Sequence, residues 1–265
     1  WFPGFEGKAR DLQEQAEEIL GPILFPGGHD CREEQRLAAR QRIRKGSQAN
    51  AHALWAWQGR VLQLADRFPV GDYDPKAMSR DFVRSVISLS CLDDGPLRAR
   101  DMLAKNGLAC VILHHLRGTH LDGAAMPRGD GRPIVALTLR HDRLDNFWFT
   151  LAHELAHVVL HLAKGKPAVF LDDLDTRTET DTMEKEADEL ASESLIPERE
   201  WERSDVRTEP STENVRRLAT RLRVHPAIVA GRLRRESGDY TLLSQMVGNR
   251  TVRCMFPEYI AGETR

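Results

Sequence analysis

The chain has 265 residues, 41% of them apolar, and a formal net charge of −2. It can bury one large core or two modest ones, and its charge excludes bulk attraction to nucleic acid, so any DNA contact has to be local. No apolar run is as long as a membrane span and no secretory signal pattern opens the chain, which predicts a soluble cytoplasmic protein with no membrane contact.

The four cysteines, Cys31, Cys91, Cys110 and Cys254, lack C-x-x-C spacing and read as reduced thiols rather than a disulfide framework or a zinc knuckle. The sequence starts at Trp1, which suggests a trimmed or processed form whose first segment is missing. Residues 5–20 place Phe5, Ala9, Leu12, Ala16 and Ile19 on one stripe, and Gly21-Pro22 ends that amphipathic helix. A turn-rich linker leads to residues 32–45, where Arg32, Arg36, Arg40, Arg42, Arg44 and Lys45 form a basic run. Without base-stacking aromatics the run reads as a solvated face. Residues 1–49 are thus expected to be a helical arm and linker, followed by a main domain at 50–236 and a hairpin or tail at 237–265 packed on it.

From residue 50 the pattern is helical. Trp55, Val61, Leu62, Ala65 and Phe68 share a face that ends before Pro69; residues 75–89 bring Met78, Phe82, Val83, Val86 and Ile87; a third helix runs from Gly95-Pro96 to Gly107. The period then shortens, and residues 108–115, 121–126 and 133–139 read as strands, with RGDG as a hairpin turn.

Residues 147–161, FWFTLAHELAHVVLH, are apolar on nearly every side and predict a helix buried all round. His153 and His157 are four apart, so both imidazoles leave one face and can grip a single cation. Glu154 between them stands where a general base would meet a water, which is the HExxH pattern of zinc metallopeptidases. Satisfied core histidines are the plainer alternative. It is the weaker one, because three ionisable side chains within five positions of an apolar helix need a compensating cation.

A catalytic zinc takes three protein ligands and keeps a position open. In residues 183–197, MEKEADELASESLIP, Glu184 and Asp188 are one turn apart. Glu184 can be the third ligand while Asp188 accepts the second ring N–H of a histidine. Glu186 is the rival ligand, about 200° round the helix from Glu184, and a solvated acidic face is the alternative to both. His161 is turned about 80° from His153, which suits a supporting position beside the ligands better than a fourth ligand. The acidic stretch 170–186, with Asp172, Asp173 and Asp175, reads as a cover over the cleft. His114, His115 and His120 could line the cleft or steady an oxyanion, although loop histidines are more often surface residues. A helix is expected around 213–223; the phrase LATRLRVHPAIVAGRL (218–233) superficially resembles a helix-turn-helix but reads as packing, and residues 240–256 read as a hairpin-like piece with a Gly248-Asn249 turn.

The run DNFWFTLAHELAHVVLH followed by EKEADELASESLIP resembles the ImmA/IrrE family of metallopeptidases, over about residues 50–256. The longer run from LDGAA (121–125) through LTLRHDRLDNFWFTLAHE resembles the carboxy-terminal domain of HigA-like antitoxin regulators. The resemblance implies an α+β, zincin-like core, with the HExxH helix beside a small mixed sheet and a helical amino-terminal scaffold. It also implies one zinc ion on His153, His157 and Glu184, with Glu154 as the base. His141 stands where the pattern has tyrosine and Leu190 where it has phenylalanine. Two functions follow as expectations: a zinc endopeptidase, gluzincin-like, that cuts a regulatory protein such as a repressor or antitoxin, or a non-catalytic sensor or antitoxin module that uses the same core to bind a partner protein, toxin or ligand. DNA binding would require a helix-turn-helix domain ahead of Trp1.

Overall fold

Three short apolar runs pair into one sheet: β1 (Ala109–Ile112), β2 (Gly123–Pro127) and β3 (Pro133–Leu137), in the order β1-β3-β2. β3 is parallel to β1 and antiparallel to β2, so the sheet is mixed. The β2–β3 hairpin closes through the RGDG sequence, where the Arg128 N–H donates to the Arg132 carbonyl at 2.7 Å and Gly131 takes φ +82°. A left-handed residue there is what a tight turn asks of glycine.

The structure, a computed structural model, describes residues 51–117, 119–164 and 177–259. The predicted amphipathic arm and basic run within 1–49, and residues 170–176 of the acidic stretch with Asp172, Asp173 and Asp175, lie outside the described residues. Among the described residues no helix is long and apolar enough to cross a membrane.

The strands carry apolar residues on both faces because both faces are covered. Helix α1 (Ala51–Asp66) lays Trp57, Val61 and Ala65 against Val111, Ala124, Met126 and Ala136. The Trp57 indole N–H donates to the His114 carbonyl at 3.0 Å, fixing α1 to the end of β1. On the other face Cys110, Ile112, Val135 and Leu137 join a larger core shared with the remaining helices.

The helix predicted over 75–89 is divided. A 3-10 turn at Pro75–Ala77 precedes α2 (Arg80–Ser88), because the Ser79 hydroxyl accepts the Phe82 N–H at 3.2 Å and starts a fresh helix. Helix α3 (Gly95–Lys105) begins with Gly95-Pro96 and is followed by Gly107 at φ +82°, as the sequence predicts.

Two long helices follow, α4 (Leu144–Leu160) and α5 (Arg177–Leu195), which pack against each other more extensively than any other pair of described elements. The short α6 (Glu198–Glu202) after Pro197 has no counterpart in the sequence reading. Helices α7 (Thr212–Leu222) and α8 (Pro226–Ser237) turn their apolar positions, Val215, Leu218, Ala227 and Val229 among them, into the main core.

Residues 240–256 depart from the expected hairpin. They form 3-10 turns at Ser244–Met246 and Arg253–Met255, and a single antiparallel bridge joins Asn249 to Arg143. Besides the short-range turn bonds within it, backbone groups of this segment are spent on the loop entering α4. The Leu144 N–H reaches the Val247 and Gly248 carbonyls at 3.0 and 3.1 Å, and the Asp142 carboxylate accepts the N–H groups of Val252 and Arg253 at 3.0 and 3.1 Å. The Arg253 guanidinium donates to the Leu139 and Arg140 carbonyls, and Val247, Val252, Phe256 and Tyr259 are buried.

Burial in the sheet pushes the Cys110 thiol up to about 12, while Cys91 and Cys254 are exposed. Only the thiolate is nucleophilic, so at pH 8 an alkylating reagent will label Cys91 and Cys254 and leave Cys110 intact until the chain is unfolded. Mass spectrometry of the labelled peptides checks this; labelling of Cys110 in the folded protein would contradict the sheet placement.

Candidate metal centre

Every residue of α4 from 151 to 159 is buried, so the polar groups within that stretch have to be satisfied inside the protein. His153 is 2% exposed, Glu154 3% and His157 8%. The four-residue spacing brings the two Nε2 atoms within 3.1 Å of each other. Helix α5 lies across this face and delivers Glu184, whose Oε2 is 3.3 Å from His153 Nε2 and whose Oε1 is 3.5 Å from His157 Nε2.

These three separations test whether the donors fit a metal. A tetrahedral ion with bonds of about 2.0–2.2 Å to imidazole nitrogen and carboxylate oxygen spaces its ligand atoms about 3.3–3.5 Å apart. In the cluster His153, His157 and Glu184 the two imidazole–carboxylate separations match that edge and the 3.1 Å between the imidazoles is slightly shorter, and the donors, two imidazoles and one carboxylate, are those of a catalytic zinc site. The residues fit such an ion.

Asp188, one turn beyond Glu184, sets the tautomer. Its carboxylate accepts from His153 Nδ1 at 2.9 Å, which places the proton on Nδ1 and leaves the Nε2 lone pair facing the cluster. Burial alone would raise the Glu184 carboxyl; hydrogen bonds and charge from His153 and His157 when those rings are protonated outweigh it and hold the group well below the usual carboxylate range, and a cation on the two Nε2 atoms would supply the same positive charge.

The other candidates fall in different places. Glu186 is exposed and stands outside the three-residue cluster. His161 is buried at the end of α4 with its ring 5.4 Å from that of His157, beside the ligands but not one of the three. His114 stacks on Tyr259 and its Nε2 meets the Tyr259 carbonyl at 2.8 Å, which ties it to the carboxy-terminal segment. For His115, burial lowers the imidazole pKa and favours the neutral ring. Leu190 packs in the main core.

Gly123 is the residue that sequence reasoning passed over. A Cβ on this first residue of β2 would sit 2.7 Å from the Thr150 methyl and 2.8 Å from Glu154 Oε1. The strand therefore passes flush against the candidate base, and only glycine allows it. A glycine opening a strand is a recognised sign of close approach, and it was the available signal.

Replacing Asp188 with Asn is expected to weaken zinc affinity about 10–100-fold, while Glu184→Ala removes stoichiometric metal; competition with a chromogenic chelator measures both. Gly123→Ala is expected to keep the metal, since no ligand moves, and to displace Glu154. Full activity in that variant would show that the Glu154 position is not constrained by β2.

Residues 108–234 match the Peptidase_M78 family model, described as the IrrE N-terminal-like domain. Comparison with curated proteins and with solved structures gives no match. The match agrees with the ImmA/IrrE resemblance and lends no support to the one with HigA-like regulators. Its span takes in the three strands, both helices of the candidate centre, α6, α7 and most of α8, so the part of the chain that builds the candidate metal centre is similar to the Peptidase_M78 domain and shares its zincin-like fold.

Proposed function

We propose that the chain is a zinc-dependent endopeptidase that cleaves a regulatory protein of the repressor or antitoxin class, with Glu154 as general base. The observation that carries this reading is the placement of a buried carboxylate on the same helix as two metal-binding imidazoles, wedged against a strand with no side chain in the way. A bound divalent ion would lower the pKa of a water toward about 7 and polarise a peptide carbonyl. His153, His157 and Glu184 would hold it, and Asp188 would keep His153 in the right tautomer.

Glu154 takes the proton from the attacking water and returns it to the departing amine, so it has to be ionised at the start and protonated midway. The substrate enters extended. Strand β2 pairs with β3 along one side only among the described residues, and its other side, beginning at Gly123 beside Glu154, can bind a peptide by strand addition. Such main-chain pairing suits a protein substrate and not a small molecule, which supports endopeptidase over other hydrolytic chemistry.

Glu154→Gln is expected to retain stoichiometric zinc and to lose at least about 10³-fold in cleavage rate, since the amide cannot take the proton. The assay incubates the zinc-loaded protein with candidate repressors and antitoxins and looks for one discrete fragment that a chelator abolishes. Cleavage by the Gln variant at the wild-type rate would remove Glu154 from the mechanism.

A further inference from the structure

Between the first half of α4, the end of α5 and helix α8 lies a cavity of about 240 Å³, the size of an amino-acid side chain and below that of most ligand pockets. It adjoins the metal centre. Phe149 and Thr150 in its wall are one turn before His153 and Glu154, and Asp122 directly precedes Gly123. The Phe149 ring stacks 6.3 Å from the His153 ring on one side, and the Arg235 guanidinium sits 4.7 Å above it on the other.

The charges in this wall do not balance locally. Asp145 is held by Arg143 through contacts of 2.9 and 3.1 Å, and Asp122 by Arg140 at 3.0 and 3.3 Å. Arg232 is paired with Glu198 and Glu236. Arg234 is different. It is only 6% exposed, yet among the described residues no carboxylate lies within ion-pairing distance of it. One nitrogen donates to the Tyr240 carbonyl, while Nε and Nη1 are buried without a hydrogen-bond partner. Asp239 feels the charge of Arg234, but its carboxylate is already taken up by the Thr241 backbone and hydroxyl at 2.8 and 2.6 Å.

A buried guanidinium with two unmet donors is costly unless an acceptor arrives, and the fork of Arg matches a carboxylate. We infer that this cavity is a specificity pocket for an acidic side chain, glutamate or aspartate, flanking the bond that is cut, and that Arg234 is the residue that selects it. The inference rests on the peptidase reading for its place in catalysis, but the binding chemistry stands by itself. A peptide paired to β2 past Gly123 carries alternate side chains off the strand, and one of them faces the Phe149–Thr150 wall. There a carboxylate meets Arg234 in a partly dehydrated setting where a charge-assisted hydrogen bond counts for most.

Two measurements on the full zinc-loaded chain test this separately from the peptidase reading. In the first, a proteome-derived peptide library is digested and the residues on either side of each cut are read by mass spectrometry. Glutamate or aspartate should be enriched about ten-fold or more at one position, the enrichment should vanish in Arg234→Met at unchanged zinc content, and Arg234→Lys should keep part of it. Cleavage without acidic enrichment overturns the pocket and leaves the peptidase standing.

In the second, N-acetylglutamate is titrated against N-acetylglutamine while thermal unfolding is followed. Stabilisation by the acid alone, lost in Arg234→Met, supports the pocket even if no peptide is cut, in which case the peptidase reading is the one that fails. Equal stabilisation of wild type and Arg234→Met, or none in either, overturns the pocket. Retained zinc in the Met and Lys variants shows that each has folded.

Discussion

The site turns on one constraint: two imidazoles and a carboxylate, brought from two helices, meet in a buried space with the donor chemistry that suits a divalent cation. His153 and His157 come for free once α4 is helical. Glu184 does not, and its arrival requires α5 to cross α4 at one angle and one register. The dense packing of α4 on α5, through Leu155, Ala156, Ala187 and Ala191, sets that register. Small residues at Ala156, Ala187 and Ala191 allow the helices to approach closely enough for a short carboxylate side chain to reach both rings. The same buried helix that demands a metal thereby supplies the rigid surface on which the third ligand is placed.

A second layer of control surrounds these donors. Asp188 acts on the proton of His153, and Gly123 acts on the space available to Glu154. One works through a hydrogen bond from the exposed side of the cleft and the other through steric proximity from the sheet. Neither residue touches the position of an ion, yet each determines whether a residue that would do so is in the right state. The sheet is thus more than a support for α4: its edge strand limits the room of the Glu154 carboxylate.

Much of this was legible in the sequence. The HExxH pattern, the one-turn pairing of Glu184 with Asp188 and the short apolar strands each have a period that survives folding; Ala109–Ile112 and Pro133–Leu137 fall within the expected ranges, and Gly123–Pro127 overruns its range by one residue. Interactions between distant segments were not legible. Ser79 breaks a helix that periodicity would run through, because capping depends on one hydroxyl and not on a pattern. The segment 240–256 looks like a hairpin locally, but its backbone groups are matched to Asp142, Leu144 and the loop before α4, partners a hundred residues away. Gly123 and Arg234 escaped for the same reason: the meaning of a bare Cα or an unmatched guanidinium lies in what other chain segments bring next to it.

The clamp from residues 247–253 onto Asp142 and Leu144 bears on where the working unit stops. The family match ends at 234, but the start of α4 is anchored by groups beyond that point, and the side chains of Phe256 and Tyr259 fill the same interior as the ligand helices. A fragment trimmed to the matched stretch would keep all three metal donors and yet leave the Asp142 carboxylate and the Leu144 amide without their acceptors and donors. Helix α4 would then begin from an unmoored stem, so the ends of the family match are not the ends of the packed unit.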